Sequence, residues 1–444
     1  MDRRGTLSVW TDFGFRESPY STTPVPSTAE GERLLVGRDQ DLNTLRMYLS
    51  SSALHPTIEG DNGVGKTSLI SIAGYQLRQQ YASGGTSQAL IPVGEVFQLT
   101  PGDTVATLTR KVLFAVAQAF IQNHESLKRG GHNVPDVGKV EDWLNQATFL
   151  GGGGGASILG IGGNVARTTS PNTTSGFSEA GFPALMRKWL SDCFPSLDAG
   201  GFICVIDNLE LLETSRAART LLEAMRDEVL GLPGLRWVLC GARGIVRTTA
   251  SSPRLEGRLG SPLEISPVPD EFASAVVARR TESYRISENA IAPVGPDGFG
   301  HLYDLLHRNL RNALKFCEDF AFWMAQQGLE STNADQNRRL LEVWMTDMAD
   351  RYLADTKLRA AAWKIFDKLI VDFGGSCSPS DHPLFGYENQ PPMRAQVRAL
   401  EEANLVESSV DDTDKRRKTI SVKPRGWVVY YARNGYKAPA DTAS

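Results

Sequence analysis

GDNGVGKT, the stretch from Gly60 to Thr67, decides the fold. It matches the spacing G-x-x-x-x-G-K-[ST] at Gly60, Gly65, Lys66 and Thr67. Such a loop, here Gly60, Asp61, Asn62, Gly63, Val64 and Gly65, turns backbone N–H groups toward an anion at the start of a helix, where the helix dipole favours negative charge. In this chemistry Lys66 reaches the β and γ phosphates, the Thr67 hydroxyl coordinates Mg²⁺, and Ser68 completes the loop's turn into the helix. Apolar residues precede Gly60 and a helical pattern runs from about Lys66 to Tyr81. The context is therefore strand, loop, helix, and the expected ligand is ATP with Mg²⁺.

A second motif supports the first. FICVID, Phe202 to Asp207, is a fully apolar run of buried-strand type ending in an aspartate. An aspartate at that place holds hydrated Mg²⁺ in nucleotide-hydrolysing proteins. The position after it, where a glutamate could polarise water, is Asn208, and the nearest carboxylate is Glu210. Asparagine can orient a water but cannot take its proton. Hydrolysis is expected to be slow. Ala89–Gln98, Trp237–Cys240 and the PLEIS segment near Leu263 also read as strands, with helices between them. Alternating strands and helices imply a parallel sheet. The fold class expected is α/β: a P-loop parallel-sheet ATPase core with a helical lid, followed by a winged helix-turn-helix domain.

The 444 residues suggest two or three domains, and 41% hydrophobic with 22% charged residues suits a globular chain. No apolar run approaches the ~18 residues that span a bilayer, and no apolar signal-peptide core follows the N-terminal charges. A cytoplasmic protein with no membrane partner is the expectation. Cys193, Cys204, Cys240, Cys317 and Cys377 are far apart, and Cys204 and Cys240 sit in strand-like runs; they read as core residues, with no structural zinc. The net charge of -4 excludes a globally basic binder but not a local basic surface. Residues 1–35 read as an N-terminal arm, 36–268 as the core, 269–353 as a helical lid and 354–435 as the C-terminal domain, with a disordered tail at 436–444. Within the core, residues 125–180 read as a Gly-rich insertion around Gly151–Gly155, where five glycines cannot hold regular structure cheaply.

At this point the chain resembles the AAA+ and STAND branch of P-loop ATPases, and within it the origin-recognition (Orc-type) initiators. VGRD at Val36–Asp39, then a helix, then GxxGxGKTS, carries the resemblance. It implies a role for Arg38 at the nucleotide and places the arm, including RESPY at Arg16–Tyr20, near the adenine. GARG at Gly241–Gly244 follows a strand where such families carry sensor 1, making Arg243 a γ-phosphate contact. SPRLEGRLGSPLEIS resembles the segment that offers an arginine finger to a neighbouring subunit, with Arg258 first and Arg254 second; the implied state is a homo-oligomer. RNLRNALKF resembles the sensor 2 helix, with Arg311 reaching the phosphates. STAND proteins usually add a Gly-x-Pro element and a long repeat domain, and neither is visible.

Toward the C-terminus, Ala360–Val371 and Pro391–Ala403 read as helices. Met393, Val397 and Leu400 form a buried stripe, with Arg394 and Arg398 opposite. A strand, a charged turn and a returning strand follow. DDTDKRRKTISVKPRGW resembles the wing of MarR-type regulators, with Lys415, Arg416, Arg417 and Lys418 facing a duplex backbone and Arg394 and Arg398 on a recognition helix. Residues 391–425 hold 8 basic and 6 acidic side chains, a balance of +2, so binding to double-stranded DNA would be moderate and salt-sensitive. The leading reading is an ATP-dependent switch that controls DNA binding. The rival is an ATP-dependent oligomerising signalling scaffold for defence or mobile-element systems, whose winged helix contacts an effector protein. A transcription regulator with a decayed ATPase is a third, opposed by the intact GKT and Asp207.

Overall fold

The computed structural model describes residues 8–100, 102–138, 181–212, 215–242, 244–354, 357–410 and 418–435. The Gly151–Gly155 run, the tail from Tyr436, Arg243 and the wing residues Lys415, Arg416 and Arg417 lie outside them, as does the Lys418 side chain. Residues 24–266 form one compact unit; residues 8–23 with those from 267 onward form the other.

The 24–266 unit is built on a five-stranded parallel sheet. After α1 (Asp39–Ser51) come β1 (His55–Glu59), α2 (Lys66–Ala82), β2 (Ala89–Gln98), α3 (Val105–Arg129), α4 (Gly181–Cys193), β3 (Gly200–Asp207), α5 (Ser215–Met225), β4 (Leu235–Gly241), α6 (Ile245–Ala250) and β5 (Leu259–Glu264). The spatial order is β2-β3-β4-β1-β5. β1, β3 and β4 are buried along their whole length. That burial on both faces explains the near-continuous apolar run of β3 and, apart from Arg236, of β4; β1, read from sequence as an apolar stretch, is instead the equally buried His-Pro-Thr-Ile-Glu. Register places Glu59 beside both Gly241 and Glu264, and Ile206 beside Leu239. The C-terminal ends of β1, β3, β4 and β5 therefore meet at one edge of the sheet, where open α/β sheets bind ligands.

α3 starts with a reciprocal Thr104–Thr107 capping box and presents Leu108, Val112, Val116 and Phe120 to the core. Phe120 meets Phe202 edge-on at 4.8 Å. The helix continues to Arg129, so residues 125–129, read from sequence as the start of the insertion, are helical; the Leu127 side chain keeps the apolar stripe going. All five cysteines are buried and unpaired, and burial pushes the Cys193 thiol up to about 12.

The other unit begins with the arm. Tyr20 is fully buried, its hydroxyl donating to the Val294 carbonyl and accepting from the Val294 amide, both at 2.7 Å. Arg16 lies over the Tyr284 ring. These contacts, with Ser18 Oγ donating to Glu318 at 2.9 Å, tie RESPY into a helical array of α7 (Asp270–Tyr284), α8 (Pro296–Leu305), α9 (Leu310–Gln326) and α10 (Ala334–Ala354) through α7, α9 and the stretch before α8. α9 buries Ala313, Leu314, Cys317, Phe320 and Met324, and Phe320 packs on Trp344 of α10.

The C-terminal part of this unit runs α11 (Ala360–Phe373), β6 (Ser376–Cys377), a 3-10 turn at Pro379–Phe385, α12 (Gln390–Glu402), β7 (Val406–Val410), β8 (Lys418–Val422) and α13 (Pro424–Asn434). The strands form an antiparallel sheet in the order β6-β8-β7. Met393, Val397 and Leu400 are buried among Ile365, Phe366 and Leu369. Asn404 takes φ 58 and ends α12, with the Leu405 amide donating back to the Leu400 carbonyl. The module does not end on a hairpin, as the sequence reading had it. Pro424 at the first helical position starts α13, whose Val428 and Val429 are buried.

Among the described residues no helix is long and apolar enough to cross a membrane.

Candidate phosphate-binding site

The loop Gly60–Thr67 joins the end of β1 to the start of α2. Gly63 and Gly65 have φ of 89 and 99, in the left-handed region that side-chain-bearing residues rarely occupy. At Gly65 a Cβ would meet no atom within 4 Å. The glycine is therefore required by backbone conformation, and the space over the helix start stays open to an approaching anion.

Two side chains hold the loop in shape. The Lys66 ammonium, 7% exposed, donates to the Gly60 carbonyl at 2.8 Å and the Asp61 carbonyl at 3.1 Å. Arg38 is buried behind the loop and donates to the Val64 carbonyl at 2.7 Å and to Asp41 at 3.1 Å. Arg38 thus braces the loop from behind. Ser68 accepts from the Val25 amide at 3.2 Å and Ser27 bonds Ser71 at 2.7 Å, which anchors the 25–27 segment along α2. Asp61 and Asn62 are exposed at the loop's tip.

The residues quoted as the two motifs converge. The Thr67 hydroxyl donates to Asp207 Oδ2 at 2.7 Å across 140 positions of sequence. Asp207 is 4% exposed. A hydroxyl and a carboxylate side by side at a helix N-terminus are hard oxygen donors of the kind Mg²⁺ takes, with water and phosphate oxygens completing its shell. Cys240 lies on β4, between the two strands, and is fully buried. Burial first, then the Asp207 charge, hold its thiol well above its usual range; it donates to Asp207 and stays protonated.

Asn208 sits at φ 57, and its amide bonds Asp207 Oδ1 at 2.8 Å. This left-handed residue turns the chain so that Leu209 enters the core and Glu210 comes to the end of β4. There Glu210 Oε2 accepts from the Ala242 amide at 3.0 Å. Residues the motif reading missed lie close by. Glu59, the last residue of β1, is 0% exposed and accepts from Arg247 at 2.5 Å and from the Gly244 amide at 3.3 Å. Arg247, 62% exposed, also reaches Glu264 at 3.5 Å. An acid directly before the first glycine of the loop was the signal for Glu59; nothing local marked Arg247.

Of the remaining candidates, Arg258 and Arg254 share a unit with the loop and Arg311, Arg394 and Arg398 belong to the other. Arg258 lies at the opposite end of β1, its carbonyl accepting from the His55 amide at 2.7 Å and its guanidinium packed near Gly231. Arg254 is exposed, 4.0 Å from Glu223. Arg311 is exposed in the first turn of α9, in the helical unit. Arg394 and Arg398 are exposed on α12, and Arg398 pairs with Glu402 at 3.1 Å.

No protein-family profile matches the chain, and no curated protein does. Solved structures similar to it include the ORC1 protein of Aeropyrum pernix in complex with DNA, at 15% identity and a TM-score of 0.44, with 94% of this chain and 96% of that one covered. The ORC2 protein of Aeropyrum pernix in ADPNP-ADP complexes is 10% identical, with a TM-score of 0.46 and coverage of 95% and 98%. A Walker-type ATPase of Pyrococcus abyssi is 15% identical, with a TM-score of 0.42 and coverage of 94% and 100%. Identities and TM-scores this low leave function to be read from the site's own geometry.

Proposed function

We propose that the chain binds ATP with Mg²⁺ at Gly60–Thr67 and Asp207, hydrolyses it slowly, and uses nucleotide state to control a winged helix that binds duplex DNA. The Thr67–Asp207 bond at 2.7 Å supports this reading most directly, because it joins a phosphate-loop helix to the carboxylate at the end of a buried strand. Lys66 needs only a side-chain rotation to exchange two loop carbonyls for phosphate oxygens. Bound Mg²⁺ would neutralise charge on those oxygens; the chain's own part is to fix Thr67 and Asp207 beside them. Glu210 is engaged with the Ala242 amide and Asn208 cannot accept a proton, which fits slow turnover. Arg243 and Arg311 would contact the terminal phosphate. An arginine in the first turn of a helix opposes the helix dipole unless an anion lies nearby, and α9 has no acidic residue there. Arg258 would serve a neighbouring subunit.

The C-terminal order of helix, short strand, helix and two-stranded return supports the winged-helix assignment, with α12 as its recognition helix. One observation favours the scaffold reading: α12 carries half-buried Glu401 and exposed Glu402 beside Arg398, a mixed-charge face that suits a protein partner.

Calorimetry with ATP on the wild type and Lys66→Ala tests the site. Binding is expected in the wild type and lost in the folded variant, which lacks the charge that meets the phosphates. Unchanged affinity removes the assignment. Duplex retention on a salt gradient, with ATP, ADP and no nucleotide, separates the DNA reading from the scaffold.

A further inference from the structure

Three consecutive residues between α8 and α9 each hold a different element. His307 and Arg308 have φ of 57 and 56, left-handed backbone at two residues that carry a Cβ. Such conformations persist only where the surroundings fix them. The surroundings here are specific. The His307 ring stacks on the Trp427 indole of α13, centroids 4.9 Å apart and planes within 6°. The Arg308 guanidinium pairs with Asp270 at the start of α7 at 2.5 Å. The Asn309 side chain accepts from the Asn312 amide at 3.0 Å and caps α9. Trp427 is gripped from elsewhere too: Gly375, with φ 88, leaves no room for a Cβ, which would lie 2.4 Å from the indole. The indole therefore sits against His307 on one contact and the α11–β6 turn on another. Arg311 lies one residue beyond the Asn309–Leu310 start of α9.

We infer that the turn His307–Asn309 is a joint between α9 and the C-terminal module, with the His307–Trp427 ring stack as its contact to α13. It rests on the proposed ATP-to-DNA coupling. A displacement of α9 by nucleotide moves the turn, and the ring stack passes that displacement to α13. The Arg308–Asp270 pair and the Asn309 cap tie the turn to α7 and α9, so the displacement passes through it to the ring stack.

The test compares the full-length wild type with His307→Gly, Trp427→Ala and Trp427→Phe. Glycine accepts φ 57 without steric cost, so His307→Gly removes the ring while keeping the fold, as thermal unfolding would verify. ATP affinity by calorimetry and duplex affinity in ATP and in ADP are measured for each. His307→Gly and Trp427→Ala are expected to bind ATP within about twofold of wild type while the ATP/ADP ratio of duplex affinities falls toward one; by linkage that ratio is the coupling itself. Trp427→Phe, which keeps a flat ring, is expected to retain most of the ratio. An unchanged ratio in His307→Gly overturns the joint and leaves the ATP-to-DNA reading standing. A wild type whose duplex affinity is the same in ATP and ADP overturns both.

Discussion

At the scale of single residues, His55 shows how strongly the core controls charge. Its ring is buried at the base of β1, with Nε2 2.7 Å from the Leu230 carbonyl and Nδ1 accepting from the Trp237 amide at 3.3 Å. Burial lowers its pKa to about 4; the Leu230 contact opposes this, and the Arg236 and Arg258 charges add to the lowering. The folded value lies below that of the unfolded chain, so the unfolded state binds a proton first as pH falls. Stability is full above about pH 6.5 and is lost as pH drops toward 4. Between pH 7 and pH 5 this one group is expected to cost about 2 kcal/mol of unfolding free energy. Urea unfolding of wild type and His55→Gln at both pH values checks it. Glutamine can donate to Leu230 and accept from Trp237 without titrating, so the variant should show that much less pH dependence; equal dependence removes His55 as the cause. Lys66, Thr67 and Asp207 were legible in the sequence because short-range spacing and a strand end mark them. Glu59 with Arg247 was not, because that pair joins residues 188 positions apart and only the sheet brings them together.

At the scale of elements, the ends of β3 and β4 divide the labour around the phosphate loop. Asp207 accepts from Thr67, so Asp207→Ala leaves the α2 hydroxyl without its acceptor and removes a proposed Mg²⁺ ligand. ATP hydrolysis is expected to fall by at least roughly tenfold, about 1.4 kcal/mol of barrier. Glu210→Gln should behave differently. Its remaining carbonyl oxygen can still accept from the Ala242 amide, so turnover is expected to stay within about threefold of wild type, under ~0.7 kcal/mol. Single-turnover assays on both variants decide. Turnover that survives Asp207→Ala but is lost in Glu210→Gln would make Glu210 the base and reverse the roles. Buried strands such as Phe202–Asp207 were readable because burial on both faces demands an apolar run. α4 was not read, since the glycine-rich stretch before it masks where its Phe182, Met186, Trp189 and Cys193 stripe begins. α13 was taken for the end of a strand, because Pro424 signals a break in the strand and the helix it opens shows only afterwards.

At the scale of the whole molecule, the chain passes twice between its two units, near Thr23–Pro24 and Ser266–Pro267, and the proposed function needs both. The phosphate loop belongs to one unit; Arg311, α12 and the strands flanking the basic turn belong to the other. If the second unit grips a duplex, its charges should divide by role. Lys415, Arg416, Arg417 and Lys418 are four consecutive basic residues between β7 and the body of β8, where a wing would meet phosphates. Phosphate contacts release counterions whatever the base sequence. Arg416→Ala/Arg417→Ala is therefore expected to weaken binding to all duplexes alike and to flatten the log–log salt dependence by about one unit per lost contact, close to two in all. Arg394 is exposed on α12 and has no ion-pair partner among the described residues, whereas Arg398 is tied to Glu402. Arg394→Ala is thus the better probe of base reading, expected to cost about 1–3 kcal/mol on a preferred sequence and little on others. Duplex binding across a salt series, in ATP and ADP, measures both. Equal salt slopes for wild type and the double variant would move the DNA surface away from the wing and make the ATPase core the next surface to test. A wild type that binds no duplex in any nucleotide state would leave α12, with its mixed-charge face, as a surface for protein.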